Sequence, residues 1–176
     1  MKDNSVYKQT TSQGCLPVCL LILSNNKITE NIEMNLVIEG LKRKEPKEIP
    51  YAIKICEQFS LQYRRNLTIY IDNKFYLKYL NEINKLDSIK LMHKYINKDT
   101  IDDTSTPFIL YIDNNILGNY THDPHFIIIE KSNNTSFTII DPWVGKRLEI
   151  SKKVILPGVK LLKKQFRYSP LIIKLD

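Results

Sequence analysis

Two cysteines and a proline lie close together in the segment QTTSQGCLPVCLLILSN, residues 9–25. Proline is tolerated in the first turn of an α-helix, so Pro17 predicts a helix over Gly14 to Leu23 that begins shortly before it. Cys15 then lies at the helix N-terminus, where the positive end of the helix dipole favours the thiolate, the nucleophilic form of cysteine. Cys15 is therefore a candidate nucleophile.

The second cysteine of this segment has a different predicted environment. Cys19 lies one turn after Cys15 among apolar residues, where burial would raise its pKa and keep it an unreactive thiol. Ser12 is expected to cap the helix, because a serine oxygen accepts hydrogen bonds from the free N–H groups of the first turn. The alternative is that both cysteines are small hydrophobic residues of a buried helix.

A thiolate needs a base, and histidine is the usual one. The chain has three histidines: His93, His122 and His125. His93 lies in a lysine-rich stretch with helical spacing and is predicted to be a surface residue in the middle of a helix. His125 opens the apolar segment HFIIIEK, which is typical of a strand, and a side chain at the end of a strand can project into a cleft. His125 is therefore the candidate base.

A predicted hairpin brings a carboxylate to this histidine. If HFIIIEK and TSFTIID pair with Lys131 opposite Thr135, His125 lies directly opposite Asp141. The Cβ atoms of such a pair are about 4.5–5.5 Å apart, close enough for a carboxylate to orient an imidazole. A two-residue turn at 133–134 would instead send the two side chains to opposite faces. Asp141 before Pro142 also fits an ordinary turn residue.

Taken together, these motifs resemble the bacteriocin-processing, double-glycine leader peptidases, a branch of the papain-like cysteine peptidases. That family has a glutamine six residues before the nucleophilic cysteine, a Gly-Pro-Ala-Cys-Leu-like helix start, a later His-Phe-Val-Val and a final Asp-Pro-x-x-Gly. In this chain the corresponding residues are Gln9, CLPVCL from Cys15, HFIII from His125 and DPWVG from Asp141. The resemblance is strongest in residues 9–23 and 106–150.

The resemblance implies a role for each matching residue. Cys15 would be the nucleophile, His125 the general base and acid, and Asp141 the group that orients the imidazole. Gln9 would donate its side-chain amide to the oxyanion, with the backbone N–H of Cys15 as the second donor. One departure is that Leu16 follows the cysteine where the family usually has glycine, and this leucine is expected to narrow or reshape the substrate cleft.

The elements that must position these residues follow from periodicity. Residues 49–61 and 74–97 predict amphipathic helices, with a short strand, LTIYID, between them. The later segments PFILYIDN, HFIIIEK, TSFTIID and SPLIIKLD predict strands, whereas residues 151–166 fit either a helix or an interrupted strand. A mainly helical half, 1–100, followed by a mainly β half, 101–176, predicts an α+β fold with an antiparallel C-terminal sheet. The resemblance implies the papain-like form of this class, in a single domain over 1–176.

Composition limits the other classes of function. The net charge of +7 would suit nucleic acid, but the lysines are spread along the chain without a zinc-finger or RNA-binding signature, so no specific nucleic-acid partner is expected. The chain has no secretory signal and no apolar stretch of about 20 residues, which predicts a cytoplasmic protein without a membrane span. In that compartment the three cysteines would remain thiols.

No metal or other cofactor is expected. A Cys-x3-Cys pair lacks the tighter paired spacing of most zinc sites, and the sequence contains no phosphate-binding glycine loop. The leading hypothesis is a stand-alone cysteine peptidase that cleaves a peptide or isopeptide amide of a peptide or protein substrate. A thiol-dependent acyltransferase would use the same residues, and a catalytically silent papain-like interaction module is the alternative from another class. The oligomeric state is left open by the sequence.

Overall fold

The computed structural model describes residues 6–42, 50–83, 86–118 and 121–176. Its α-helices are Cys15–Leu23 (α1), Glu30–Leu41 (α2), Tyr51–Tyr63 (α3), Lys74–Ile83 (α4), Lys98–Asp103 (α5) and Lys152–Phe166 (α6). Its strands are Leu67–Ile71 (β1), Ile89–His93 (β2), Phe108–Asp113 (β3), Pro124–Ser132 (β4), Ser136–Asp141 (β5), Lys146–Ser151 (β6) and Leu171–Leu175 (β7). A 3₁₀ turn, Asn114–Leu117, follows β3.

The strands form one seven-stranded sheet in the order β2-β1-β7-β3-β4-β5-β6. Neighbouring strands pair antiparallel except for β1 and β2, which are parallel. The predicted α+β class is confirmed, and so are the four strands predicted in the C-terminal part of the chain. The sheet is larger than expected, since β1 and β2 from the first hundred residues extend it and β6 adds its other edge.

Both faces of the central strands are buried. In β3 and β4, Ile109 and Ile128 belong to a core cluster with residues of α1 to α4, whereas Leu110 and Ile127 belong to a second cluster with residues of α5 and α6. Successive side chains of a strand point to opposite faces. Helices therefore cover both faces, which explains why β3 and β4 are almost continuous apolar runs.

Helix α1 begins at Cys15, with Pro17 as its third residue, as expected for a proline in the first turn. The predicted cap was wrong: the residue at the N-cap is Gly14, and within the described residues no side chain caps this helix. Ser12 lies too early, because the turn closed by the Gly14 N–H and the Thr11 carbonyl (3.1 Å) separates it from the first helical residue. Burial of α1 in the core, rather than a cap, stabilises it.

The predicted helix over 74–97 was also wrong in its second half. Helix α4 ends at Ile83, and Ile89–His93 forms the edge strand β2. Tertiary pairing with β1 overrides the helical spacing, because Leu67 to Ile71 align residue by residue with Ile89 to His93. His93 is therefore the half-buried last residue of a strand and not a mid-helix surface residue. Residues 151–166, left open by the sequence, contain α6.

No helix in the part of the chain that the structure describes combines the length and the apolar character needed to cross a membrane.

Candidate active site

The first residue of α1 lies at the wall of a large cleft. Cys15 is 8% exposed and is one of the residues that line this cleft, whose volume is about 1040 Å³. Because Cys15 starts the helix, its backbone N–H has no acceptor within α1. A thiol at this point can be reached from solvent and lies at the positive end of a helix.

Cys19 lies in a different environment, as predicted. It is fully buried, and its sulfhydryl donates a weak hydrogen bond to the Phe126 carbonyl at 3.5 Å. Burial raises the pKa of Cys19 well above its ordinary value, and the negative charges of Cys15 and Asp141 raise it further. Cys19 is therefore an uncharged thiol in the core, as predicted for this cysteine.

The structure brings His125 and Asp141 together. His125 Nε2 lies 2.9 Å from Asp141 Oδ1, and the two residues are 2% and 0% exposed. The same carboxylate oxygen accepts a hydrogen bond from the Trp143 backbone N–H at 2.9 Å. With Nε2 bonded to the carboxylate, Nδ1 is the ring nitrogen left for the Cys15 sulfur.

The predicted hairpin register was wrong, although the contact that it predicted between His125 and Asp141 is present. Lys131 pairs with Thr138 rather than Thr135. The reason lies in the turn: the Asn133 side-chain oxygen accepts from the backbone N–H groups of Thr135 (2.9 Å) and Ser136 (2.8 Å), which places the turn closer to β5 than expected. His125 and Asp141 are therefore not directly opposed, but they still reach each other diagonally across the strands.

Two opposing effects act on the protonation of His125. Burial lowers the pKa of His125, but hydrogen bonds to Asp141 and Cys15 and the charges of both groups outweigh burial and raise this pKa to about 9. The imidazole is therefore protonated at neutral pH. Chemically, the cluster pairs a sulfur nucleophile with a group that holds a proton next to it and can deliver that proton to an atom in the cleft.

Gln9 lies beside this cluster through its backbone. Its N–H donates to the Pro142 carbonyl at 2.8 Å, and its side-chain Nε2 donates to the Thr11 carbonyl at 2.7 Å. Gln9 is buried, and its Oε1 has no hydrogen-bond partner among the described residues. One proton of the side-chain amide thus remains for another acceptor.

Aromatic rings form much of the cleft wall. The stacked pair Tyr111 and Phe126 has ring centroids 4.1 Å apart. Burial, followed by the charge of Cys15, raises the pKa of Tyr111 and Tyr51, so both hydroxyls stay neutral near the sulfur. The other aromatic residues of the wall are Tyr76, Trp143 and Tyr168. This composition suits apolar and hydrogen-bonding segments of an extended ligand such as a peptide.

Three residues that the sequence singled out lie elsewhere. Leu16 is fully buried in the core and is not one of the residues that line the cleft, so it does not narrow the cleft by projecting into it. His122 pairs with Asp113 (Nδ1 to Oδ2, 2.7 Å) in the loop after β3, and His93 ends the edge strand β2. The described residues contain no group of three or more His, Cys, Asp or Glu side chains that could hold a metal ion.

Sequence reasoning missed one buried polar residue beside the cluster. Glu33 on α2 contacts Thr10 and Thr11, the residues that directly follow Gln9. A signal was present, because Glu33 shares the helical spacing of the buried residues Leu36, Val37 and Gly40. An acidic residue on the buried face of a helix indicates a specific partner.

Comparison with known proteins gives a match in structure only. Neither a protein-family model nor a curated protein sequence matches the chain. Among solved structures, the chain is similar to the peptidase domain of Streptococcus ComA, a bi-functional ABC transporter involved in a quorum-sensing pathway. The identity is 15%, the alignment covers 98% of each chain, and the TM-score is 0.54. The resemblance suggested by the motifs is thus confirmed at the level of the fold.

Proposed function

We propose that the protein is a cysteine peptidase with a papain-like fold, in which residues 1–176 act as one peptidase domain. The observation that carries the proposal is the buried chain of contacts from Cys15 through His125 to Asp141 at the wall of the cleft. The fold shared with a peptidase domain and the aromatic cleft support a peptide or protein substrate. The bond cleaved would be a peptide or isopeptide amide.

In the acylation half of the reaction, the Cys15 thiolate attacks the carbonyl carbon of the substrate. A tetrahedral intermediate forms, and its negative charge develops on the carbonyl oxygen. The C–N bond then breaks, and the His125 imidazolium gives its proton to the leaving amine. The pKa of about 9 for His125 suits this acid role at neutral pH, because the proton is already in place when the thiolate attacks.

In the deacylation half, water attacks the thioester while neutral His125 accepts a proton from it. The C–S bond breaks, the carboxylic acid product leaves, and the thiolate–imidazolium pair is restored. Asp141 holds the ring through Nε2, so the other nitrogen stays directed to the sulfur and the substrate. The backbone N–H of Cys15 and the remaining amide proton of Gln9 would stabilise the oxyanion. An amine in place of water would make the protein an acyltransferase with the same residues.

The proposal is tested by the rate at which iodoacetamide alkylates Cys15 across pH, with the modified residue identified by mass spectrometry. We expect fast alkylation of Cys15 well below the ordinary thiol pKa of about 8.5, and slower alkylation in His125→Ala. His122→Ala is the matched control, since it removes a histidine near the cleft and leaves the His125–Asp141 contact intact. Cys19 and Cys56 are internal controls that should stay unmodified in the folded protein.

Slow alkylation of Cys15, equal in the wild type and in His125→Ala, would exclude a thiolate–imidazolium pair. The protein would then be a silent interaction module on a peptidase fold.

A further inference from the structure

A buried carboxylate lies next to the segment that carries Gln9. Glu33, in the first turn of α2, is 0% exposed. Burial of a carboxylate is costly unless the group is well hydrogen-bonded. Stabilising α2 does not require this position, because an exposed acidic residue of the same turn, Glu30, can interact with the helix dipole as well.

Among the described residues, Thr10 and Thr11 donate hydrogen bonds to the Glu33 carboxylate, which also lies near the Tyr7 hydroxyl, whose pKa is raised by burial and then by Glu33. The Thr10 N–H lies 3.0 Å from each carboxylate oxygen, and the Thr11 N–H donates to Oε1 at 2.9 Å. The two hydroxyls donate as well, Thr10 to Oε2 at 3.0 Å and Thr11 to Oε1 at 3.1 Å. Bonds to an ionised acceptor are stronger than neutral ones. Glu33 thus binds every polar donor that Thr10 and Thr11 possess.

This short segment is held from its other side by the turn after β5. The Gln9 N–H bonds to the Pro142 carbonyl, next to Asp141. The side-chain amide of Gln9 bonds to the carbonyl of Thr11, whose own N–H is bound by Glu33. The orientation of the Gln9 amide therefore depends on where Glu33 holds Thr11.

The Glu33 carboxylate occupies the space beside Gly14, directly before the start of α1. The backbone of Gly14 is in the ordinary right-handed region (φ −76°, ψ −9°), so its conformation is open to any residue. A Cβ atom built on Gly14 would overlap the Glu33 carboxylate and come within 3.0 Å of the Thr11 hydroxyl oxygen. A side chain at position 14 would displace Glu33 from its present contacts.

We propose that Glu33 is a positioning residue of the oxyanion site. It holds Thr10 and Thr11 so that the Gln9 side-chain amide keeps one proton directed to the oxyanion, and it has no contact with the reacting atoms. This inference rests on the proposed function, in which Gln9 is an oxyanion donor. Glu33 affects the step in which negative charge develops on the substrate oxygen. It leaves the Cys15–His125 pair unchanged.

Two reagents test this role, because only one of them reacts with Cys15 through an oxyanion. p-Nitrophenyl acetate acylates Cys15 through an oxyanion and releases p-nitrophenolate, whereas iodoacetamide alkylates the sulfur by displacing iodide without forming an oxyanion. In Glu33→Gln we expect the acylation rate to fall by about a hundredfold, the typical loss for one oxyanion donor, while the alkylation rate is unchanged. Glu30→Gln is the matched control: it removes an exposed acidic residue from the same helical turn, and both rates should stay at wild-type values.

A second variant tests the role of Glu33 even if the Glu33→Gln protein does not fold. Gly14→Ala displaces the carboxylate sterically and should lower acylation selectively in the same way. Gln9→Ala should do so as well, and the double variant with Glu33→Gln should lose no more than Gln9→Ala alone, because the two act through one group.

Three results would overturn the role of Glu33. In the first, acylation in Glu33→Gln and Gly14→Ala equals that of the wild type. In the second, acylation and alkylation fall together, which would make Glu33 part of the support of the Cys15–His125 pair. In the third, the losses in Gln9→Ala and Glu33→Gln multiply. A wild-type protein that p-nitrophenyl acetate does not acylate would instead disprove the proposed function itself, and the inference with it.

Discussion

Asp141 Oδ1 lies 2.9 Å from His125 Nε2 across a ladder between β4 and β5 that one extra residue, Glu130, interrupts. On the turn side of Glu130, Lys131 pairs with Thr138, and that register would place Asp141 opposite Ile128, on the face away from His125. Beyond the bulge the register shifts by one. Asp141 then aligns with Ile127, two residues from His125, so both side chains share a face.

Deleting Glu130 should therefore leave the two side chains in contact. In the shortened strand Ile129 still pairs with Ile139 next to Lys131 and Thr138, so Asp141 still aligns with Ile127, and iodoacetamide should alkylate Cys15 at the wild-type rate. Glu130→Ala is the control, because it keeps the extra residue and removes only the half-exposed ion pair with Arg147 (3.1 Å); its alkylation rate should match the wild type. Alkylation of the deletion variant as slow as that of His125→Ala would contradict this register.

Asp141→Asn should weaken the reaction without abolishing it. The asparagine oxygen can still accept from His125 and from the Trp143 N–H, but the negative charge that stabilises the imidazolium is lost, while the thiol and the oxyanion donors remain. We expect acylation by p-nitrophenyl acetate to slow on the order of a thousandfold and to stay above the rate of Cys15→Ala. Equal rates in Asp141→Asn and wild type would show that the Asp141 charge does not contribute to the reaction and that this residue only stabilises the turn after β5.

Substitution of Cys15 should abolish activity, whereas substitution of Cys19 should lower stability. Cys15→Ala removes the nucleophile and should abolish acylation, with urea unfolding close to that of the wild type. Cys19→Ala removes a fully buried sulfur and should lower the free energy of unfolding by about 1–2 kcal/mol while Cys15 still reacts. The reverse pattern, with an inactive Cys19→Ala and an active Cys15→Ala, would contradict the assignment of the nucleophile.

The raised pKa of His125 should appear in the pH dependence of stability. Below the unfolded-state pKa of about 6.5 the imidazole is charged in both states, so the contribution of this group is fully present. As the pH rises through the native pKa of about 9, the native state loses its proton as well and the contribution disappears. The urea midpoint of the wild type should fall over this window, and the fall should be smaller in His125→Asn. Identical profiles for the two proteins would contradict the raised pKa.

Local patterns in the sequence were sufficient to predict where several residues of the candidate site lie in the fold. Pro17 restricts where α1 can begin, and that restriction places Cys15 at the helix N-terminus. The run of isoleucines after His125 predicts a buried strand with the histidine near its start, as β4 shows. These predictions succeed because each depends on the backbone preferences and burial of residues close together in the chain.

Contacts between distant segments decided the rest. Helical spacing favoured a helix where β2 forms, and pairing with β1 determined the outcome. The partner of the buried Glu33 carboxylate is a loop more than twenty residues earlier, and the bulge at Glu130 depends on how the whole β4–β5 ladder is packed. Such features follow from the free energy of burial and hydrogen bonding summed over the folded chain. A short stretch of sequence does not contain that sum, because the partners come together only in the tertiary structure.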